Sequence, residues 1–167
     1  MIRIKLQDGR KIDLELYEDV APITVKNFYK LIDQHYFDGV IFHRVIEGFM
    51  IQTGAYYIDE ATLKEKDKVE EIIGEFKQNG IENNLLHKAG IISMARTNVM
   101  NSASSQFFIC AVDCPHLDGA YAAFGKVVDE ESMQVVLDIS KVPTTSFYHF
   151  HDFPVEPVII SEVVRID

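Results

Sequence analysis

The sequence contains no tryptophan and only two cysteines, Cys110 and Cys114. Two cysteines alone cannot complete a tetrahedral zinc site, and a disulfide between them would be unusual in the cytosol. Cys110 lies in the apolar run 107–111, so we expect it to be a small buried hydrophobic residue. The N-terminal residues 1–5 alternate in polarity and contain no apolar signal core. No apolar run is long enough to span a bilayer, and we therefore predict a cytoplasmic protein without membrane contact.

Basic residues are also scarce, with 16 Lys and Arg against 26 Asp and Glu, which gives a net charge of -10. This acidic balance argues against non-specific nucleic-acid binding, which needs a basic footprint. A hydrophobic content of 47% is typical of a globular protein rather than a disordered one. The 167 residues fit one domain with a sizeable core, and they contain no repeat or linker. We predict a single domain over residues 1–167.

Alternating apolar residues indicate short antiparallel strands. Ile2, Ile4 and Leu6 alternate with polar residues, and a second alternating run follows the turn residues Asp8 and Gly9. A strand pair is predicted over residues 40–52. Further single strands are predicted over 89–95 and 106–111, which are short apolar runs, and over 121–128 and 158–166.

Two helices are predicted between these strands. Pro22 opens the first helix, which should end before Asp38, and residues 131–139 show the spacing of a second. We interpret the mixed-charge stretch 57–84 as a solvated excursion with at most a turn or two of helix, and 143–157 as a long loop. Many short antiparallel strands favour a closed barrel or a sandwich, and two helices suit a barrel with both ends plugged.

The stretch 42–52 combines a charged residue with apolar and amide side chains. Strand alternation places Phe42, Arg44 and Ile46 on one face of the first run, and Met50 and Gln52 on one face of the second. Arg44 could thus converge with apolar groups and an amide, as a ligand cleft requires. Its guanidinium carries five donors in a rigid fork that suits a carbonyl or an anion. The alternative is an exposed arginine on an ordinary strand.

Several segments in this order resemble the cyclophilin family of peptidyl-prolyl cis-trans isomerases, in particular its prokaryotic branch. The segments are Phe42-His43-Arg44, Gly48-Phe49-Met50-Ile51-Gln52, Ile92-Ser93-Met94-Ala95, Ser105-Gln106-Phe107-Phe108-Ile109, and Leu117-Asp118-Gly119 followed by Phe124-Gly125-Lys126-Val127. The resemblance covers nearly the whole chain. It implies a mainly β fold, a closed eight-stranded antiparallel β-barrel capped by two α-helices, with the active cleft on the outer face of the barrel.

The resemblance also implies roles for ten residues. Arg44 would be the catalytic arginine, and Tyr121 would form an aromatic wall. Gln52 and the backbone of Ala95 and Arg96 would hold the substrate main chain, and Gln106 would line the cleft. The proline pocket would be formed by Phe49, Met50, Phe108 and Leu117. Such an enzyme needs no cofactor or metal, acts on proline-containing peptides and unfolded proteins, and is expected to be a monomer.

Three positions depart from the family pattern. His116 stands where the family often has the tryptophan that is important for binding cyclosporin, so we expect weakened cyclosporin binding with catalysis retained. Tyr121 replaces a frequent histidine and keeps an aromatic wall with one polar tip. Arg96 replaces an asparagine; the contribution there is expected to come mainly from the backbone, although the added charge could alter substrate preference. The loop 96–105 is slightly longer than in common relatives.

Other functions can be weighed on the sequence. A hydrolase built from His43 with Ser104 or Ser105 lacks a nucleophile-elbow motif, and we take His43 as structural, pointing to the face opposite Arg44. His149 and His151 are interpreted as surface residues rather than metal ligands. A proline-peptide binding module with incidental or no turnover remains the second hypothesis. A small-ligand carrier would need a hollow barrel, whereas the inward faces are rich in Ile, Val, Leu and Phe.

Overall fold

Eleven strands and two α-helices make up residues 1–166, the part of the chain that the computed structural model describes. The helices are α1 (Pro22–Asp33) and α2 (Glu130–Ser140), and single 3-10 turns lie at Lys77–Asn79 and Pro115–Leu117. The strands, in chain order, are β1 (Ile2–Leu6), β2 (Lys11–Leu16), β3 (Val40–Ile46), β4 (Met50–Asp59), β5 (Thr62–Glu65), β6 (Ile91–Met94), β7 (Phe107–Cys110), β8 (Ala123–Val127), β9 (Thr144–Phe147), β10 (Phe150–Pro154) and β11 (Ile160–Arg165).

Eight of the strands form a nearly closed antiparallel barrel in the order β11-β1-β2-β8-β6-β7-β4-β3. Backbone hydrogen bonds from Gly39 N to Ile160 O (2.8 Å) and from Phe42 N to Val158 O (3.0 Å) connect the start of β3 with the segment that leads into β11 and bring the two edges together. The predicted eight-stranded antiparallel barrel with two helices is therefore confirmed. Its strands are the eight that the alternating pattern indicated, because one side of each strand is buried in a common interior.

The barrel interior is filled by aliphatic side chains and an aromatic cluster. Phe28 of α1 inserts between Phe107 of β7 and Phe124 of β8, with ring centroids 5.1 and 5.3 Å away, and also contacts Phe37 at 5.2 Å. These four rings are almost completely buried. The interior therefore resembles a close-packed core rather than the hollow that a carrier of small ligands would need.

Both helices begin within one residue of the predicted start and bury one side against the barrel. Pro22 occupies the first turn of α1, and the helix buries Val25 and Phe28. The Asp129 side chain accepts a hydrogen bond from Ser132 N at 2.7 Å and caps the N-terminus of α2. Among residues 1–166, no helix has the length and apolar character that a membrane crossing needs.

Two predicted loop regions contain strands instead. β4 continues to Asp59 and turns through Glu60 and Ala61, both with positive φ (49° and 63°), into β5, so the charged stretch begins as a hairpin. The predicted long loop over 143–157 was wrong, because β9 and β10 form a separate two-stranded sheet. A register shift between Phe150 and Phe153 interrupts the alternation of side chains in β10, and this irregularity hides the strand from a period-two pattern.

Candidate active site

A bulge in β3 determines where Arg44 points. Phe42 pairs with Thr53 and Arg44 pairs with Gln52, so His43 is an extra residue on this side of the ladder. Phe42 and Val45 both belong to the interior core, whereas Arg44 lines a cavity on the outer face. The prediction that Phe42 shares a face with Arg44 was therefore wrong, because simple alternation does not continue through a bulge.

Arg44 is held by a chain of amide side chains. Its Nη1 donates to Gln52 Oε1 at 3.2 Å, and Gln52 Nε2 donates to Gln106 Oε1 at 3.0 Å. The guanidinium carbon lies 6.0 Å from the centre of the Phe49 ring. Arg44 is half-buried, and a single hydrogen bond to Gln52 leaves most of its five donors for a ligand. The hydrogen bond to Gln52 thus orients the guanidinium and leaves its other N–H groups available.

The cavity beside Arg44 has a volume of about 140 Å³. Because a water molecule takes about 30 Å³ of liquid, this space has the scale of one small ring. Phe108 reaches the outer face since it follows the inward-facing Phe107 on β7, and it packs there with Met50 and Leu117. The full lining consists of Arg44, Phe49, Met50, Gln52, Ala95, Arg96, Phe108, Leu117 and Tyr121.

All nine lining residues belong to the ten that the family resemblance implied. The tenth, Gln106, lies behind Gln52 and lines a larger neighbouring cavity of about 600 Å³. The two cavities share Gln52, Ala95 and Arg96. The backbone N–H of Ala95 is bonded to Gln106 O at 3.0 Å. The structure therefore brings all ten residues into one continuous region of the outer surface.

The guanidinium of Arg96 is held by the protein's own backbone. Its Nε and Nη2 donate to Ala120 O at 3.0 and 2.7 Å, and Nη1 donates to Thr97 O at 2.9 Å. The guanidinium also lies between the rings of Phe76 and Tyr121, at 4.7 and 4.8 Å from their centres. This arrangement fixes Tyr121, the predicted aromatic wall, at the rim of the cavity.

Beneath the cavity lie the two cysteines, which are free and buried. Burial raises the pKa of the Cys110 thiol, and the pKa of Cys114 is raised for the same reason. Both thiols are therefore poor nucleophiles near neutral pH. They pack with Met50, Phe108 and Leu117, so Cys110 is a small buried hydrophobic residue as predicted, although it backs the outer cavity rather than the barrel interior.

His43 does not line the cavity. Its ring packs against Tyr56 and Phe150, with centroids 4.8 and 5.8 Å away, under the β9–β10 hairpin. Nδ1 is buried and has no hydrogen-bond partner within residues 1–166. Burial, with a smaller effect from the charge of Arg44 and against an opposing effect from the side chain of Gln106, lowers the pKa of His43 from 6.5 to about 4. His43 is therefore neutral near pH 7, packed against aromatic rings rather than bonded to Ser104 or Ser105.

The predicted surface histidines His149 and His151 lie on the exposed part of the same hairpin. Among residues 1–166, no three His, Cys, Asp or Glu side chains are grouped as a metal ion would require.

A buried polar network behind the cavity was missed by the sequence reasoning. Nδ1 of His87 lies 3.0 Å from Asp118 Oδ1, and Nε2 of the same ring lies 2.8 Å from Ser93 Oγ. Asp118 lies in the motif Leu117-Asp118-Gly119, which has the residues of a turn, and His87 stands alone in an irregular segment. The one available signal was Ser93, a hydroxyl inside an apolar strand that needs a buried partner. The connectivity matches a hydrolase triad, but Ser93 is completely buried, so no substrate can reach its oxygen.

Comparisons with known proteins agree with this geometry. The family model for cyclophilin type peptidyl-prolyl cis-trans isomerases matches residues 1–165. A peptidyl-prolyl cis-trans isomerase of Acinetobacter baylyi is 39% identical over 98% of this chain and 84% of that protein. Peptidyl-prolyl cis-trans isomerase B of Escherichia coli is 38% identical over 91% of this chain and 92% of that protein.

Solved structures give the same result. A cyclophilin type peptidyl-prolyl cis-trans isomerase of Cryptosporidium parvum, crystallised in the presence of the dipeptide Ala-Pro, superimposes with a TM-score of 0.74 at 27% identity. The match covers 99% of this chain and 98% of that one. Together with the family match over nearly the full length, these relatives identify the fold and the lineage. The chain belongs to the family of cyclophilin-type peptidyl-prolyl cis-trans isomerases.

Proposed function

We propose that the cavity beside Arg44 is the place where this peptidyl-prolyl cis-trans isomerase rotates X-Pro bonds. The observation that carries the proposal is a half-buried guanidinium, oriented by Gln52 at 3.2 Å, on the wall of a ring-sized apolar cavity. The proline ring would occupy the cavity against Phe49, Met50, Phe108 and Leu117. An apolar pocket with a few directed polar groups is the usual form of such a binding site.

The reaction requires a donor that acts on the twisted amide. Rotation about a peptide bond is opposed by a resonance barrier of roughly 18–20 kcal/mol. In the twisted transition state conjugation is lost, and the prolyl nitrogen carries a free lone pair. A hydrogen bond from Arg44 to that nitrogen, or to the proline carbonyl, would strengthen only in the twisted state and so lower the barrier. No covalent bond breaks, so the reaction needs no nucleophile, cofactor or metal.

The other cleft residues would hold the peptide on either side of the proline. Gln52 and the backbone of Ala95 and Arg96 would bind the substrate main chain, and Gln106 would orient Gln52 through its 3.0 Å hydrogen bond. The substrates would be proline-containing peptides and unfolded proteins, whose slow folding steps include X-Pro isomerisation. We also propose one functional domain over the whole chain and a monomer, supported by the family match over residues 1–165; a cytoplasmic location stays a prediction.

Cyclosporin binding is proposed to be weak. His116 is exposed and lies beside Phe49 at the entrance to the cavity, with ring centroids 5.4 Å apart. An imidazole offers less apolar area than the indole that many relatives carry there. Catalysis would be retained, because His116 does not line the cavity.

The test is a proline-isomerisation assay on the wild type and on Arg44→Ala, paired with calorimetric titration of the same X-Pro peptide. We expect the variant to lose about a hundredfold in kcat, the usual effect of removing one preorganised donor, while peptide binding changes little. Arg165→Ala, which removes a surface arginine paired with Asp33, serves as the control and should keep wild-type kcat. If the wild type and Arg44→Ala bind the peptide equally and neither accelerates isomerisation, the chain is a binding module instead.

A further inference from the structure

We infer that His87 is a positioning residue that holds two walls of the proline cavity, Phe108 and Leu117, in place. The inference deepens the proposed function and rests on it. The His87 side chain is completely buried and lines neither of the two cavities. It therefore cannot touch substrate, and any effect on catalysis must act through the residues it contacts.

The first wall is supported by ring stacking. The imidazole of His87 lies nearly parallel to the ring of Phe108, with an interplanar angle of 18° and centroids 6.1 Å apart. The ring of Tyr121 lies at 86° to that of Phe108, with centroids 5.8 Å apart. Phe108 is thus held between the imidazole of His87 on the buried side and the ring of Tyr121 at the rim. Movement of the imidazole would leave the back of this wall without its packing partner.

The second wall is supported at both ends of the short turn that carries Leu117. The carbonyl oxygen of His87 accepts a hydrogen bond from Cys114 N at 2.7 Å, where the turn begins. At the other end, Asp118 Oδ1 accepts from His87 N at 2.6 Å and lies 3.0 Å from its Nδ1. The backbone and the side chain of His87 thus bind the chain on both sides of Leu117. Leu117 itself is 8% exposed and forms part of the cavity wall.

The hydrogen bonds allow one tautomer of the ring. Asp118 Oδ1 already accepts from His87 N, and a carboxylate oxygen can only accept, so Nδ1 must carry the proton. Nε2 is then an acceptor, and the hydroxyl of Ser93 donates to it across 2.8 Å. Burial lowers the pKa of His87, with Asp118 opposing this effect, which agrees with a neutral ring near pH 7. Since both ring nitrogens are bonded, the imidazole cannot rotate without leaving a buried polar atom unpaired.

Loss of this support should change KM rather than kcat. The apolar walls contact the proline ring in the ground state and in the transition state alike, and removal of such uniform binding raises KM while kcat is kept. Arg44, by contrast, is expected to act in the transition state and to affect kcat. The two kinds of residue are therefore separable in one assay.

Three substitutions of His87 separate the contribution of its ring from those of its two side-chain hydrogen bonds. His87→Phe keeps a ring against Phe108 but removes both hydrogen bonds. His87→Asn places an amide near the position of Nδ1 and can retain the bond to Asp118, so it should partly restore the wild-type KM. His87→Gln reaches the position of Nε2, can retain only the bond to Ser93, and should not restore it. Ser132→Ala is the matched control, because it removes a buried hydroxyl that accepts from Asp13 N on the far side of the barrel.

The experiment measures kcat and KM for an X-Pro peptide with each variant, at a temperature where denaturation curves show all of them folded. We expect His87→Phe to raise KM about tenfold with kcat within about twofold, because the side-chain bond to Asp118 beside Leu117 is lost and one buried hydrogen bond corresponds to about a factor of ten in binding. Ser132→Ala should lose stability and keep the wild-type KM. NMR signals of the Phe108 ring and the Leu117 methyl groups should shift or broaden in His87→Phe and stay unchanged in Ser132→Ala.

An unchanged KM in folded His87→Phe, or an equal rise in Ser132→Ala, would overturn the inference. Should His87→Phe fail to fold, the nitrogen NMR shifts of the wild-type imidazole decide, since a proton on Nε2 contradicts the assignment and a proton on Nδ1 supports it. Failure of the proposed function looks different, because either the wild type would not accelerate isomerisation at all, or Arg44→Ala would keep the wild-type kcat, whatever His87 does.

Discussion

The buried imidazole of His43 should make the protein measurably less stable in mild acid. An unfolded chain binds a proton at this histidine near pH 6.5, whereas the folded state resists it until about pH 4. Above pH 6.5 both states are neutral at His43, and its full contribution to stability is present. Between pH 6.5 and about 4 the unfolded state binds the extra proton, so the free energy of unfolding falls as the pH falls.

The gap between 6.5 and about 4 corresponds to about 3 kcal/mol, since each pH unit is worth roughly 1.4 kcal/mol for one proton. Small domains have free energies of unfolding of about 5–15 kcal/mol, so the effect is a substantial part of the total. His87, whose pKa is also lowered by burial, adds a loss of the same sign. Asp13, whose pKa is lowered by its hydrogen bond from Arg3, contributes its own loss in more acidic solution.

The assay is urea unfolding at a series of pH values from 7 to 4, with His43→Phe beside the wild type. The phenyl ring can keep the contacts with Tyr56 and Phe150, and it removes the buried Nδ1 that has no partner in the described chain. We expect the variant to lose about 3 kcal/mol less than the wild type across this range. Ser132→Ala should lower the whole curve without changing its slope. Equal slopes for wild type and His43→Phe would refute the reasoning, because His43 would then be hydrated or charged in the folded state.

Three further substitutions test the cavity and its rim. Phe108→Ala should cost about 3–5 kcal/mol in urea unfolding and raise KM in the isomerisation assay, because the proline ring loses a wall; an unchanged KM would contradict this. His116→Trp should tighten cyclosporin binding in calorimetric titration and leave kcat/KM within about twofold, whereas equal drug affinity would contradict the role given to this position. Arg96→Asn should cost about 1–2 kcal/mol in urea unfolding, because the guanidinium loses its contacts with two rings, and a large fall in kcat as well would show that the charge itself takes part in catalysis.

The barrel could be predicted because its strands are locally regular. Ile2, Ile4 and Leu6 alternate cleanly and face the interior, and Gly9, with φ of 96°, makes the turn that follows. The cavity residues could be predicted because they belong to short motifs with a fixed spacing. This holds even for β7, where Phe107 faces the interior and the next residue, Phe108, faces the cavity. In these parts local sequence pattern and tertiary packing agree.

The remainder depends on partners that are distant in sequence. The bulge at His43 exists only relative to β4, so nothing in residues 42–46 alone reveals it. The β9–β10 hairpin is held by rings such as Phe150 on His43, which lie far apart along the chain. His87 acquires its meaning from Asp118, 31 positions later, and a solitary histidine carries no periodic signal. Contacts between residues far apart in sequence leave no local pattern, so these three features could not be predicted from the sequence.

The position of the cavity on the outside of a filled barrel has a consequence for the size of the substrate. A polypeptide of any length can lie across such a surface, since neither of its ends has to be threaded into the protein. A proline in the middle of a long, partly folded chain would be as accessible to Arg44 as one in a short peptide, provided that the few residues around it are extended.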